Sequence, residues 1–250
     1  MVELLYGTRA ASTVGINAPA FTPSKQADVI LPDVEIHYCL FEIPMAVAQA
    51  RLPTGLHPSV PAMLGITVWR CHAGPLGPFA LAYLGIACRT GIKPRHLIHG
   101  AFCDKAEVSE WLRMQYGLNC RAAKVHNLEG YDRIHSRVEV AGCPVLDLVT
   151  DQAQPLAGRG AMVKYSPILN AVRIGEDTAL VQMETSFDFK RVLRGRPHTA
   201  IFDAAALGDD SITPNTPVSG TFSIADINLH APRFKLDVAL PAEQGGAKKL

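Results

Sequence analysis

The chain has 250 residues, 48% of them hydrophobic and 19% charged, with a formal net charge of +1. That is enough apolar chain for one large core or two small ones. Scattered, near-balanced charge gives no footing for nucleic acid or an anionic membrane surface, both of which reward clustered Lys and Arg. No run approaches about 20 consecutive apolar residues, so no membrane-spanning helix is expected. The opening "MVELLYGTRAASTVGINAPAF" carries Glu3 and no long apolar block, and is not read as a secretory signal.

The first 34 residues, with Pro19, Pro23 and Pro32, read as an extended arm over one domain spanning 35–240. "EIHYCLFEIP" reads as a strand and "MAVAQARLP" as a short helix stopped by proline, which lacks the amide hydrogen that a helix interior needs. "AMLGITVWRCH", "FALAYLGIACRTG" and "HLIHGAFC" read as strands, rich in β-branched and aromatic residues and bounded by Gly or Pro.

The strongest helix is "DKAEVSEWLRMQYG". Asp104 is the expected N-cap, Glu107 completes a capping box, and Gly117 suits a left-handed C-terminal position. Val108, Trp111, Leu112 and Gln115 recur at helical spacing and give it a packing face. A hairpin follows with its turn at Glu129-Gly130. Further strands are "GAMVKYSPIL", "TALVQMETSFDF", "HTAIFDAA" and "GTFSIADINLH", and residues 241–250, with the Lys248-Lys249 pair, read as a free tail. Many short strands and one good helix predict a mostly β, antiparallel domain, closed or sandwiched.

Few motifs carry chemistry. Six cysteines lie at Cys39, Cys71, Cys88, Cys103, Cys120 and Cys143 with no C-x-x-C pair, which argues for reduced thiols, a cytoplasmic protein and no zinc site. His96 and His99 in "HLIH" point to opposite faces if the run is a strand, so no metal is expected there. No nucleophile elbow, phosphate loop or dinucleotide fingerprint is present, and no cofactor is implied.

Four segments in order resemble the acetoacetate decarboxylase family: "GPFALAYLGIACRTG" with "HLIHGAFCDKAEVSEWLRMQYGLNCRAAKV", then "GAMVKYSPIL", "AIFDAA" and "SIADINLHAPRF". The resemblance runs from about Glu35 to Val238. It implies a cone-shaped closed β-barrel with outer helices, a largely apolar pocket, a homo-oligomer, and a small organic acid or ketone as substrate. In the family a lysine activated in an apolar pocket forms an iminium with a ketone. It is the first lysine of a Pro-Lys-Lys triplet after the capped helix.

Here that triplet position reads Asn119-Cys120-Arg121. The family's catalytic glutamate falls on Leu81, and a second acid falls near Ile66. Nucleophile and both carboxylates are thus replaced, which argues against iminium chemistry at this position. One reading keeps catalysis through an enol or enolate, with Arg121 stabilising the oxyanion, Cys120 as a thiolate, and Asn119, Leu118, Leu81 and Ile66 lining the site. Plainer roles stand beside it: Cys120 as a volume filler, and Arg121 paired with Glu107 or Glu110. Lys124, sharing strand parity with Cys120, or Lys164 could supply a relocated amine. A non-catalytic binder of an apolar ligand, or a partner subunit, is the rival from another class.

Overall fold

A computed structural model describes residues 5–23, 27–91, 93–156, 163–238, 240 and 248–250. In chain order the elements begin α1 (Ala11–Val14), β1 (Val29–Glu42), α2 (Met45–Arg51), β2 (His57–Pro58), β3 (Met63–Cys71), β4 (Phe79–Thr90), β5 (Lys93–Cys103) and α3 (Ala106–Tyr116). They continue β6 (Arg121–Ala122), β7 (Lys124–Glu129), β8 (Arg133–Val140), β9 (Cys143–Pro155), β10 (Ile168–Ile174) and β11 (Asp177–Met183). The last are β12 (Thr185–Phe202), α4 (Ala204–Leu207), β13 (Pro217–Leu229), β14 (Phe234–Asp237) and β15 (Lys248–Lys249).

The strands pair in the order β15-β14-β11-β10-β5-β4-β3-β1-β13-β12-β9-β8-β7, with β2 on β4 and β6 on β5. Most pairs are antiparallel, as expected. The exceptions are both on β5, which runs parallel to β10 at His96 and Leu97 and to β6 at Phe102 and Cys103. The segment Arg121–Glu129 therefore joins β5 at its start and β8 at its end, across the break at Ala123. It brings the far side of the sheet back to β5, while β10, β11, β14 and β15 extend the other way.

Both faces of the central strands are covered. On β3, Leu64, Ile66 and Val68 belong to one apolar cluster while Trp69 and Cys71 belong to a second. This two-sided burial explains why "AMLGITVWRCH" is an almost unbroken apolar run rather than an alternating one. The second cluster is capped by α3, whose Val108, Leu112 and Tyr116 are buried against it. Burying side chains of that size stabilises by about 1.5–3 kcal/mol each.

The helix starts later than expected. Its N-cap is Lys105, with no side-chain cap, because Asp104 Oδ1 instead accepts from the Ala80 amide at 2.7 Å. Gly117 ends it in the left-handed conformation (φ 66°), and a Cβ there would lie 2.0 Å from Val172. Two independent constraints thus demand glycine.

The segment "GAMVKYSPIL" is only partly within the described residues. From Val163 to Pro167 it has no regular structure, and the strand begins at Ile168. Lys248 and Lys249 pair with β14, where a free tail was expected, and 241–247 lie outside the described residues. The arm is not wholly extended: it carries α1, and β1 already starts at Val29. No helix is long and apolar enough to cross a membrane among the described residues.

Candidate functional site

Leu81, Leu118 and Cys120 come together in the second cluster, with Trp69, Cys71, Ala101 and Cys103. The two positions where the resemblance places a lysine and a glutamate therefore share one face of the sheet. Ile66 does not join them. It sits opposite Cys39 and Leu84 and packs in the first cluster, on the other face. A one-residue change of register flips a strand's side chain across the sheet, and the β3 residues on Leu81's face are Thr67 and Trp69.

Cys120 is half-buried. Burial raises its thiol well above the ordinary range, helped by nearby Cys103, so it is a neutral S–H and not a thiolate. Arg121 is exposed and points elsewhere: its guanidinium donates to the Ala206 carbonyl and lies 4.5 Å from the centroid of Phe102, a ring of the first cluster. It pairs with neither expected glutamate, since Glu110 is taken by Arg113 at 2.5 Å. Asn119, Lys124 and Lys164 are all exposed. Lys124 and Cys120 border one surface depression of about 540 Å3, but Cys120 precedes β6 and a break at Ala123 lies between them, so no shared strand parity relates them.

The polar part of Leu81's face lies further along the same strands. Tyr38 of β1, Thr67 of β3, Tyr83 of β4 and His96 of β5 surround a small chamber that Tyr165 and Ser166 complete from the Val163–Pro167 connection. Tyr165 Oη lies 3.0 Å from Ser223 Oγ and 3.3 Å from Thr221 Oγ1. Its ring packs edge-on against Tyr38 at 5.1 Å and against Phe187 at 5.1 Å. Tyr38 Oη is 3.4 Å from His96 Nε2. Trp69 stands edge-on to Tyr83 at 5.7 Å, and its buried indole N–H has no partner.

Glycine makes the room for His96. Gly65 and Gly85 face each other across β3 and β4, and a Cβ on Gly65 would come within 2.8 Å of His96 Nε2. The electrostatics follow from burial. The Tyr38 and Tyr83 phenols are pushed far above their ordinary range and Tyr165 to about 12, while His96 is pushed down to about 4. At neutral pH the chamber therefore presents protonated phenols and an uncharged imidazole. The space left between them is about 10 Å3, room for a single water.

No protein-family profile and no curated sequence matches the chain. Solved structures do. An acetoacetate decarboxylase from Legionella pneumophila superposes with a TM-score of 0.73 at 14% identity, covering 89% of this chain and 93% of that one. The chain has the acetoacetate decarboxylase fold. The enduracididine biosynthesis enzyme MppR, complexed with pyruvate, gives 0.66 at 18% identity over 85% and 90% of the two chains. An acetoacetate decarboxylase-like enzyme from Sphingomonas wittichii RW1 gives 0.65 at 12% identity over 84% and 93%.

Within this acetoacetate decarboxylase fold, the residues most suited to chemistry are Tyr38, Thr67, Tyr83, His96 and Tyr165, of which only His96 stood out in the sequence, and there as a metal candidate. Alternation in "EIHYCLFEIP" puts Tyr38 on one face with Ile36, and the paired glycines of β3 and β4 mark a notch. Tyr165 carried no signal, since its segment leaves the strand pattern. Among the described residues no group of three or more His, Cys, Asp or Glu is placed to hold a metal ion.

Proposed function

We propose that this chain is an acetoacetate decarboxylase-like enzyme that acts on a small organic acid or ketone through an enol or enolate, without a lysine Schiff base. The observation that carries the reading is the chamber's lining: phenols, hydroxyls and one imidazole, with neither lysine nor carboxylate. Uncharged donors in a water-poor site favour charge that develops on a carbonyl oxygen during reaction. The Tyr38 and Tyr83 hydroxyls, which line the chamber, are the donors offered to that oxygen. His96, uncharged at neutral pH, takes the proton from the carbon beside the carbonyl. The C–H bond breaks, its electrons move to the oxygen, and the enolate is held by the donors until a proton returns.

Arg121 is not given the oxyanion role in this reading, because its guanidinium is already spent on Ala206 and Phe102 on the other face. Pyruvate bound in the MppR structure supports a small oxo acid as the substrate class. Homo-oligomer assembly remains part of the proposal, on family likeness alone.

One observation favours the partner-subunit form of the rival reading. A space of about 10 Å3 holds no substrate unless Tyr165 swings aside. Incubating the protein with a panel of small ketones and oxo acids, followed by NMR, separates the readings. Conversion of any member supports the enzyme, and saturable binding without conversion supports the carrier. Borohydride trapping of a lysine adduct would instead revive Lys124 or Lys164.

A further inference from the structure

A second cavity, of about 610 Å3, lies between the N-terminal arm and the ends of α2, α3 and α4. Its size falls within the range of pockets that hold drug-sized ligands. Arg9 and Val14 reach it from the arm, His99 from β5, Leu118 and Asn119 from the end of α3, and Asn170 from β10. The chamber's proposed chemistry uses none of these side chains.

Three polar groups along the groove stand out: two lack a hydrogen-bond partner and one lacks a carboxylate among the described residues. Asn170 is 2% exposed, and its Nδ2 donates to the Tyr116 carbonyl at 3.0 Å, which fixes the amide's orientation. Its Oδ1 is then buried with no hydrogen-bond partner among the described residues. His99 Nε2 is likewise buried and unpartnered. Unsatisfied buried atoms of this kind are rare in folded proteins and call for an account.

Arg9 is the third. Its guanidinium donates to the hydroxyl and carbonyl of Thr13 on its own arm, at 3.3 and 2.9 Å. No carboxylate among the described residues lies within ion-pair distance of it. Arg51 and Asp209 also line the groove and pair with each other at 2.5 Å, and both charges are felt at Arg9. Among the described residues the two arginines and one aspartate of the groove leave a net single positive charge.

We propose that this groove binds an organic monoanion that also carries a hydroxyl or amine. The carboxylate accepts from Arg9 and from His99 Nε2–H, and the hydroxyl or amine donates to Asn170 Oδ1. An apolar body lies along Val14 and Leu118. The net single positive charge sets the charge of the ligand, and the planar fork of Arg9 suits a carboxylate. The orphan amide oxygen sets the need for a donor, and the volume sets the need for a body larger than the acid group alone.

Calorimetric titration of the full chain tests this with 3-phenyllactate, which has all three features, and 3-phenylpropionate, which lacks the hydroxyl. The expected result is saturable binding of 3-phenyllactate and at least tenfold weaker binding of 3-phenylpropionate. Arg9→Gln should weaken 3-phenyllactate at least tenfold. Thr13→Val, which removes the arm's hydroxyl contact and keeps the guanidinium, should bind as the wild type does. No saturable binding, equal affinity for both acids, or unchanged affinity in Arg9→Gln would overturn the assignment. So would an equal loss in Thr13→Val, which would trace the effect to the arm. A loss in Tyr38→Phe would place the ligand in the chamber instead.

Discussion

Tyr38 and His96 belong to strands separated by two others, yet the phenol oxygen lies 3.4 Å from the imidazole Nε2 and the rings meet edge-on at 6.2 Å. The contact exists because Gly65 and Gly85 lie between them on β3 and β4 and leave a notch for the ring. Gly65→Ala should therefore push the imidazole away from Tyr38. The clash is with a side chain, so a stability loss of about 2 kcal/mol or less is expected. A shift of the His96 ring resonances with a folded spectrum elsewhere is the readout, and unchanged His96 resonances would contradict the packing.

Cys120 should be inert. Burial keeps its thiol protonated, whereas Cys143 is exposed at the start of β9. Brief treatment of the native protein with iodoacetamide at pH 8 should label Cys143 and spare Cys120, as read by peptide mass spectrometry. Labelling of Cys120 as fast as Cys143 would restore a nucleophilic role.

Arg121→Ala should leave chemistry intact. The side chain makes one hydrogen bond to a carbonyl and one exposed stacking contact, together worth about 1 kcal/mol. Urea unfolding should show a loss of that order, with turnover of any substrate found within about twofold of wild type. Abolished turnover in a folded variant would return the oxyanion role to Arg121.

How much of this was legible in the chain depended on periodicity. The helix before Gly117 and the hairpin at Glu129-Gly130 were readable because capping glycine and alternation are local signals. The shared face of Leu81, Leu118 and Cys120 was also within reach, through the resemblance. Ile66 was placed on the wrong side of the sheet for a site with Leu81, since buried strands with two covered faces give no alternation from which to count parity. Arg121 turns away because β6 lasts two residues before the break at Ala123, a feature no propensity reveals. Asp104 looked like a helix cap but serves the Ala80 amide, a contact made across the fold.

Acid should destabilise the fold well before its carboxylates titrate. Burial pushes His37 down to about 3, with nearby His135 adding to it, and burial pushes His96 and His99 to about 4, against an ordinary 6.5. His37 is held instead by Ser136 Oγ at 2.7 Å and Thr150 Oγ1 at 2.8 Å. The unfolded chain therefore binds more protons than the folded one between about pH 6.5 and 4. Stability is fully present above that window and falls as pH drops through it, by roughly 2 kcal/mol per histidine between pH 7 and 5. Urea midpoints across pH 7 to 5 check this, and a flat profile would show the imidazoles to be solvated.

In the proposed mechanism carbonyl chemistry runs on neutral donors and one imidazole rather than on an amine. Deuterium uptake at the carbon beside the carbonyl, followed by NMR in heavy water with small ketones and oxo acids, tests it most directly. Uptake above the buffer rate is expected for at least one compound, with a loss of about a hundredfold in Tyr38→Phe and full uptake in a variant carrying both Lys124→Met and Lys164→Met. Uptake that survives Tyr38→Phe and vanishes without those lysines would contradict it.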